Sequence, residues 1–384
     1  AMNNFKELIG CRCHANFLRL GDADGRKSKT PGHTFAWAET QYFEERPVVP
    51  VHQFLDLRLD MDAQKLDGFN TITIKVVQKE VHSFSVDSVD LDIHDVMLDG
   101  KPVAFEVSEK KLNVKPGAVL KRGAKHELKI SYTCQKPRAG GYFITPDKEY
   151  PDRPVQFWTQ GQDDDARYWF PCFDEPRLKC SFEMRVEVPT GLVATSNGAL
   201  MSETKSGSKT IFHWKTETQI PAYLVTLTVG QFAVIKDEWR GKPVTYICEK
   251  GAEDQAKMSF GKTPAMMELF SNKIGVEYPY EKYAQVAVSE FVFGGMENTS
   301  ATTQTDATLH PADLDEEFTS DDLVSHELAH QWFGDLVTCK SWTEGWLNEG
   351  WATFMETVFK EKDLGATETE YYRLEEFQIY QDED

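Results

Sequence analysis

Long apolar runs, positive charge and regularly spaced cysteines are all scarce in this sequence. No run approaches the ~18 consecutive apolar residues of a membrane-spanning helix, so no membrane span is expected. No basic, apolar, small-residue succession opens the chain, so no signal peptide is visible and a cytoplasmic location is expected. Ala1-Met2 reads as a cloning scar ahead of a native start. Lys and Arg number 42 against 62 Asp and Glu, a formal charge of −20. That balance repels nucleic acid and anionic membranes and favours solubility, so neither is expected as a partner. The seven cysteines are odd in number and scattered. Only Cys11 and Cys13 are close, as CxC, and no CxxC occurs. A cysteine-ligated zinc is therefore not expected, and the thiols read as reduced. Internal repeats and low-complexity tracts are missing too.

What is present is the composition of a globular chain: 384 residues, 40% hydrophobic and 27% charged. That length suggests two domains. Residues 1–50 read as an extension, with a loop-like GDADGRKSKTPGH and RPVVP as an extended linker. From Val51 to about residue 230 the pattern has period two. FLDLRLDMD, TITIKVVQKEV, HELKISYTC and SFEMRVEVP read as strands, and Asp99-Gly100 reads as a hairpin turn. IFHWKTETQIPAYLVTLTVGQF continues this pattern to about residue 235. KYAQVAVSEFVFGG reads as a strand ending at its double glycine. KTPAMMELFSNKIG, DDLVSHELAHQWFG, GWLNEGWATFMETVFKEKDLG and ETEYYRLEEFQIYQ have helical spacing. The expectation is a β-rich domain over 51–230 and an α-rich domain over 231–384.

The stretch VSHELAHQWFGD carries the chemistry. Residues i and i+4 share a helix face, so His326 and His330 can direct two imidazoles at one ion. Glu327 sits one step around, within reach of a water on that ion, as HExxH requires. Thr319 or Ser320 can cap this helix, Asp321 and Asp322 suit its N-terminus, and Gly334 suits its end. Leu328 and Trp332 lie on another face, available for packing. Two histidines and a glutamate in this frame arise by chance in roughly one protein of this length in a hundred, so a third ligand is needed. Glu349, nineteen residues after His330, supplies it from a second helix, with Glu344 and Glu356 as alternative acids. Thr353, one turn beyond Glu349, either holds a ligand imidazole from behind or packs.

HELAHQWFGDLVT followed by WLNEGWATF resembles the zinc signature of the aminopeptidase N family: HExxH, eighteen residues (here 331–348), then Glu. FGGMENTSATT resembles that family's GAMEN or GGMEN motif, and WTQGQDDDARYWFPCFDEP its amine-site segment. The resemblance covers about residues 50–380. It implies an α+β multidomain fold, with an N-terminal β-saddle domain before a thermolysin-like catalytic domain. It implies one Zn²⁺ on His326, His330 and Glu349, with Glu327 as general base. It further implies peptide substrates whose free α-ammonium is held by Glu297 and Gln162. Read without the family, Glu297 is a loop acid and Gln162 a solvated loop amide. Gly294 and Gly295 let a backbone approach a ligand, or form a flexible turn. Met296 would border the first side-chain pocket. Asp163, Asp164 and Asp165 read as solvated charges or caps, and Arg167 with Asp174 as a structural ion pair. The family's oxyanion tyrosine falls beyond Asp384 by its usual spacing. Tyr371, Tyr372 and Tyr380 read as packing or surface residues. A chain truncated in or just after the catalytic core is expected to bind zinc but hydrolyse poorly. The GGMEN form also occurs in relatives resembling leukotriene A4 hydrolase, which gives an epoxide-opening alternative. A non-catalytic scaffold is the remaining one, though HExxH and Glu297 are both intact.

Overall fold

The computed structural model describes residues 45–314 and 319–383. Cys11, Cys13 and the GDADGRKSKTPGH loop lie outside the described residues. The strand Val48–Asp60 pairs in antiparallel fashion with Lys65–Val76 and in parallel with Cys180–Pro189. These form the centre of an eight-stranded sheet. RPVVP is thus no linker: Val48 pairs with Val76, because Val48 has a core site to fill and is fully buried. The period-two reading is seen directly, with Leu55, Leu57 and Leu59 buried on one face of the first strand. Gly68 is required where the two strands meet, since a Cβ there would stand 2.1 Å from the Asp56 carbonyl oxygen. Asp99 and Gly100 both take positive φ, the twist that a two-residue hairpin needs.

A four-stranded sheet (Gly141–Ile144, Gln156–Thr159, Leu227–Gly230, Val193–Ser196) packs beside the large one. Between them lies a core that includes Leu57, Trp169, Phe182 and Val229. The expected continuous β pattern through residue 235 is interrupted: Pro221 ends one strand, and Ala222–Leu224 forms a buried 3-10 turn. Proline has no N–H to give a ladder, so it breaks the sheet there.

From Phe232 onward a mixed five-stranded sheet supports the helices. Its order is Phe232–Trp239, Lys242–Glu249, Tyr283–Val288, Ala301–Thr305, Gly295–Met296. Tyr283–Val288 is buried at every position, as a central strand with parallel neighbours should be. It ends well before the double glycine. The chain turns at Glu290, which has positive φ, and Gly295 returns as an edge strand paired with Gln304. The helices are α1 (Glu253–Phe260), α2 (Thr263–Ile274), α3 (Asp321–Ala329), α4 (Trp346–Asp363) and α5 (Ala366–Glu383). Helix α1 has too few apolar residues to show a period in the sequence: only Ala256, Ser259 and Phe260 are buried. The fold is α+β, an all-β half followed by a half that carries the helices. An apolar cluster joins the halves, with Trp158, Tyr223 and Leu224 against Phe232, Ile247, Val286 and Met296. Among the described residues, no helix is long and apolar enough to cross a membrane.

Candidate metal centre

Helix α3 forms where its polar and apolar signals agree. Ser320 occupies the N-cap position, but its hydroxyl donates to the Thr308 carbonyl. Thr319 supplies the cap bond instead, accepting the Asp321 amide at 3.1 Å. Asp321 and Asp322 lie in the positive first turn and pair with Lys262 (2.7 Å) and Lys360 (2.6 Å). Leu328 and Trp332 are buried as expected, with Trp332 edge-on to Tyr278 and Phe270. The helix stops at Ala329, five residues short of Gly334. His330 still completes a helical turn, its amide donating to the His326 carbonyl at 3.1 Å. The i, i+4 geometry therefore survives the earlier end. Gly334, at φ +136°, sits against the His330 ring, where a Cβ would come within 3.1 Å of Nδ1.

Helix α4 packs on α3 and presents Glu349 from its first turn. His326 Nε2 lies 3.0 Å from His330 Nε2, and Glu349 Oε2 is 3.3 and 3.4 Å from the two nitrogens. Three ligand atoms about 3.3 Å apart are what a tetrahedral ion with bonds near 2.0–2.1 Å requires. Both rings have Nδ1 committed elsewhere. His326 Nδ1 is 2.6 Å from Glu356 Oε1, and His330 Nδ1 is 2.9 Å from the Phe333 carbonyl. Donation from Nδ1 leaves each Nε2 with a lone pair aimed at the shared point. Two lone pairs facing each other at 3.0 Å are repulsive unless a cation sits between them. The electrostatics favour positive charge as well: although burial opposes it, Glu349 and Glu297 push the His330 imidazolium up to about 10. Burial raises the Glu349 carboxyl, but His330 and His326 outweigh it and hold the group well below the carboxylate range.

The role expected of Thr353 is filled by Glu356, one of the two alternative ligand acids. Its other oxygen accepts the Tyr372 hydroxyl at 2.5 Å. Tyr372 is thus a hydrogen-bonding anchor rather than a packing residue, while Tyr371 is exposed. The Tyr380 side chain lies outside the described residues. Glu344, the other alternative, is exposed and accepts the Trp346 indole N–H.

Glu327 is buried and lies against the edge strand at Gly295, where a Cβ would stand 2.2 Å from its Oε1. A Cβ at Gly294 would stand 3.1 Å from Leu323. Glu297 is buried, its carboxyl raised by burial, and its Oε1 has no hydrogen-bond partner among the described residues. Met296 belongs to the apolar cluster between the halves. Gln162 is half-buried, its backbone N–H donating to Gln160 Oε1 at 3.1 Å. The neighbouring Asp163 carboxyl is raised by burial, then by Asp164 and the Glu349 charge. Arg167 and Asp174 pair at 3.0 Å. Three contributors were not legible. Tyr223 stands buried near Glu297 and Glu349. Lys179 reaches from the β-rich half to the Asp335 carbonyl at 2.8 Å. Gln331 bonds the Glu297 carbonyl. Only Gln331, next to His330, had any positional signal.

Two family profiles match this sequence. The one described as Peptidase M1 N-terminal domain matches residues 49–224, and the Peptidase family M1 domain matches residues 258–384. The chain belongs to peptidase family M1. Aminopeptidase M1 of Arabidopsis thaliana is 31% identical over 82% of this chain and 38% of that relative. Leucine aminopeptidase 2 of Candida glabrata is 29% identical over 79% of this chain and 46% of that relative. The structure of native yeast LTA4 hydrolase shares the fold, with a TM-score of 0.76 at 23% identity, covering 88% of this chain and 52% of that one. This M1 chain therefore spans less than half the length of both aminopeptidase relatives. The order of its two M1 profiles matches the order of its all-β and helical halves.

Proposed function

We propose that this chain carries the zinc site and the amine anchor of an aminopeptidase that removes single N-terminal residues from peptides. The observation that carries this reading is the triangle of His326 Nε2, His330 Nε2 and Glu349 Oε2, with both Nδ1 atoms engaged. Zinc held there supplies polarisation of the scissile carbonyl and a lowered pKa for water. Glu327, on the turn between the two histidines, takes the proton of the attacking water and returns it to the leaving amine. Glu297 offers a buried carboxylate oxygen to the substrate's α-ammonium in a charge-assisted hydrogen bond, with Gln162 as the second anchor. Gly294 and Gly295, whose missing side chains make room for Leu323 and Glu327, lead into the edge strand that would run along the substrate backbone. We place the catalytic unit from residue 231 and the saddle domain at 48–230, its start moved from 51 to include the whole first strand. The five described cysteines are free and buried, which supports a reducing, cytoplasmic setting.

The test is zinc content of the dialysed chain by plasma mass spectrometry, with Glu349→Ala in parallel. One zinc per chain, reduced in the variant, is expected. A free amino-acid anilide should then be cleaved in preference to its N-acetylated form. A chain without zinc, or one indifferent to acetylation, would overturn the reading.

A further inference from the structure

The backbone from Glu297 to Ser300 is held on two sides by buried side chains that the zinc motif does not explain. Gln331, next to His330, donates from Nε2 to the Glu297 carbonyl at 3.1 Å and accepts the Ser300 amide at Oε1 at 2.8 Å. A carbonyl on one side and an N–H on the other leave its amide a single orientation. The Tyr278 hydroxyl lies 3.3 Å from the same Oε1. From the opposite side, Asn197 donates to the carbonyls of Thr299 (2.8 Å) and Leu224 (2.9 Å). The Gly198 amide donates to Ser300 Oγ at 2.8 Å. Lys282 bridges the carbonyls of Ser300 (2.8 Å) and Ser196 (2.9 Å). Ser300 has φ +62°, a conformation costing of order 1 kcal/mol that persists only when surroundings impose it. Gln331, Thr299, Ser300 and Asn197 are all buried.

The consequence is geometric. One peptide bond separates Gln331 from a metal-ligand candidate, and one hydrogen bond separates it from the backbone of Glu297. We propose that Gln331 is a positioning residue that sets the separation between the ammonium anchor Glu297 and the metal ligands, and so enforces the requirement for a free N-terminus. This rests on the aminopeptidase reading above. Asn197 and Lys282 press the segment onto Gln331 from the far side, so the spacing is determined jointly by both halves of the chain.

The test compares the parent chain with Gln331→Met, which keeps the volume and removes both bonds. Each is titrated by calorimetry, free of metal, with L-leucinamide and with N-acetyl-leucinamide, and zinc content is measured separately. The parent should prefer the free amine. Gln331→Met should bind leucinamide about tenfold or more weakly, leave the acetylated ligand unchanged and retain one zinc per chain. Asn197→Ala, which loosens the same segment from the other side, should shift amine affinity in the same direction and serves if the first variant does not fold. Retention of the parent's preference in a folded variant overturns the proposal. A parent with no preference for the free amine overturns the aminopeptidase reading itself, and this inference with it.

Discussion

The Nδ1 atom of His326 faces Glu356, and that single contact governs what the opposite nitrogen can do. Glu356 shares α4 with Glu349 and is in turn held by Tyr372 of α5, so the group that sets the ring's tautomer is itself anchored from a helix outside the His326, His330 and Glu349 cluster. Replacing Glu356 with Ala is expected to lower zinc affinity by about 10–100-fold, measured by competition with a chromogenic chelator. Unchanged affinity would show that the tautomer is set elsewhere. Glu327→Gln should keep full zinc content and lose turnover by a factor of about 10²–10⁴. Normal cleavage by that variant would remove Glu327 from the base role. Gly295 belongs to the same scale: with Glu327 Oε1 occupying the space of a Cβ, any side chain at 295 moves the carboxylate.

At the scale of elements, the segments carrying site residues are tied down by polar groups buried beneath them. The segment 167–175 behind Gln162 rests on linked ion pairs: Arg167 with Asp174, and Arg46 with Asp87 and Glu175 at 2.7 Å each. Asp87 also accepts the Asp174 amide. Taking one partner from a buried pair leaves a charge uncompensated, so Arg46→Met should destabilise the chain by about 3–5 kcal/mol in denaturant titration. A change under about 1 kcal/mol would mean the network is replaceable. The 3-10 turn Ala222–Leu224 gives a second example, with its Tyr223 backbone pressed against Gly161, where a Cβ would clash at 2.5 Å. Lys282 offers a pH signature. Burial lowers its ammonium to about 7, against 10.5 for a free lysine, with Glu281 opposing. Between those values the unfolded chain binds the proton and the folded chain does not, so stability from this group rises with pH. The parent should therefore gain on Lys282→Met from pH 7 to 10.5 in thermal melts. A difference flat across that window would exclude it.

Across the whole molecule, the ties between the two halves include the apolar cluster around Trp158, Tyr223 and Met296 and the polar bonds of Asn197, Lys282 and Lys179. The outer face of α4 is different in character. Trp346, Trp351 and Phe354 are 62%, 48% and 51% exposed, and Leu374 and Phe377 of α5 are about as exposed. Apolar patches of this kind bind partners or self-associate. The 384-residue chain should bind an apolar dye such as anilinonaphthalene sulfonate and sediment with concentration-dependent mass, and Phe354→Glu should reduce both. A monodisperse monomer that ignores the dye would count against this expectation.

Spacing alone determined much of this protein. Two histidines four apart, a glutamate nineteen residues on and a period-two pattern through the first half are local features, because helix and strand periods are local. They predicted α3, the convergence of His326, His330 and Glu349 and the strands of the large sheet. The tertiary structure decided what depends on distant neighbours. It ended α3 at Ala329 rather than Gly334, because the chain turns there to pass the Phe333 carbonyl to His330. It chose Glu356 over Thr353 behind His326, since that depends on the rotation of α4 against α3. It drew RPVVP into the sheet because Val48 had a core site to fill. Asn197 and Lys282 stayed invisible in the sequence, and Gln331 showed only its place beside His330, because their partners are backbone groups 18 to 102 residues away, and backbone groups carry no sequence signal of their own.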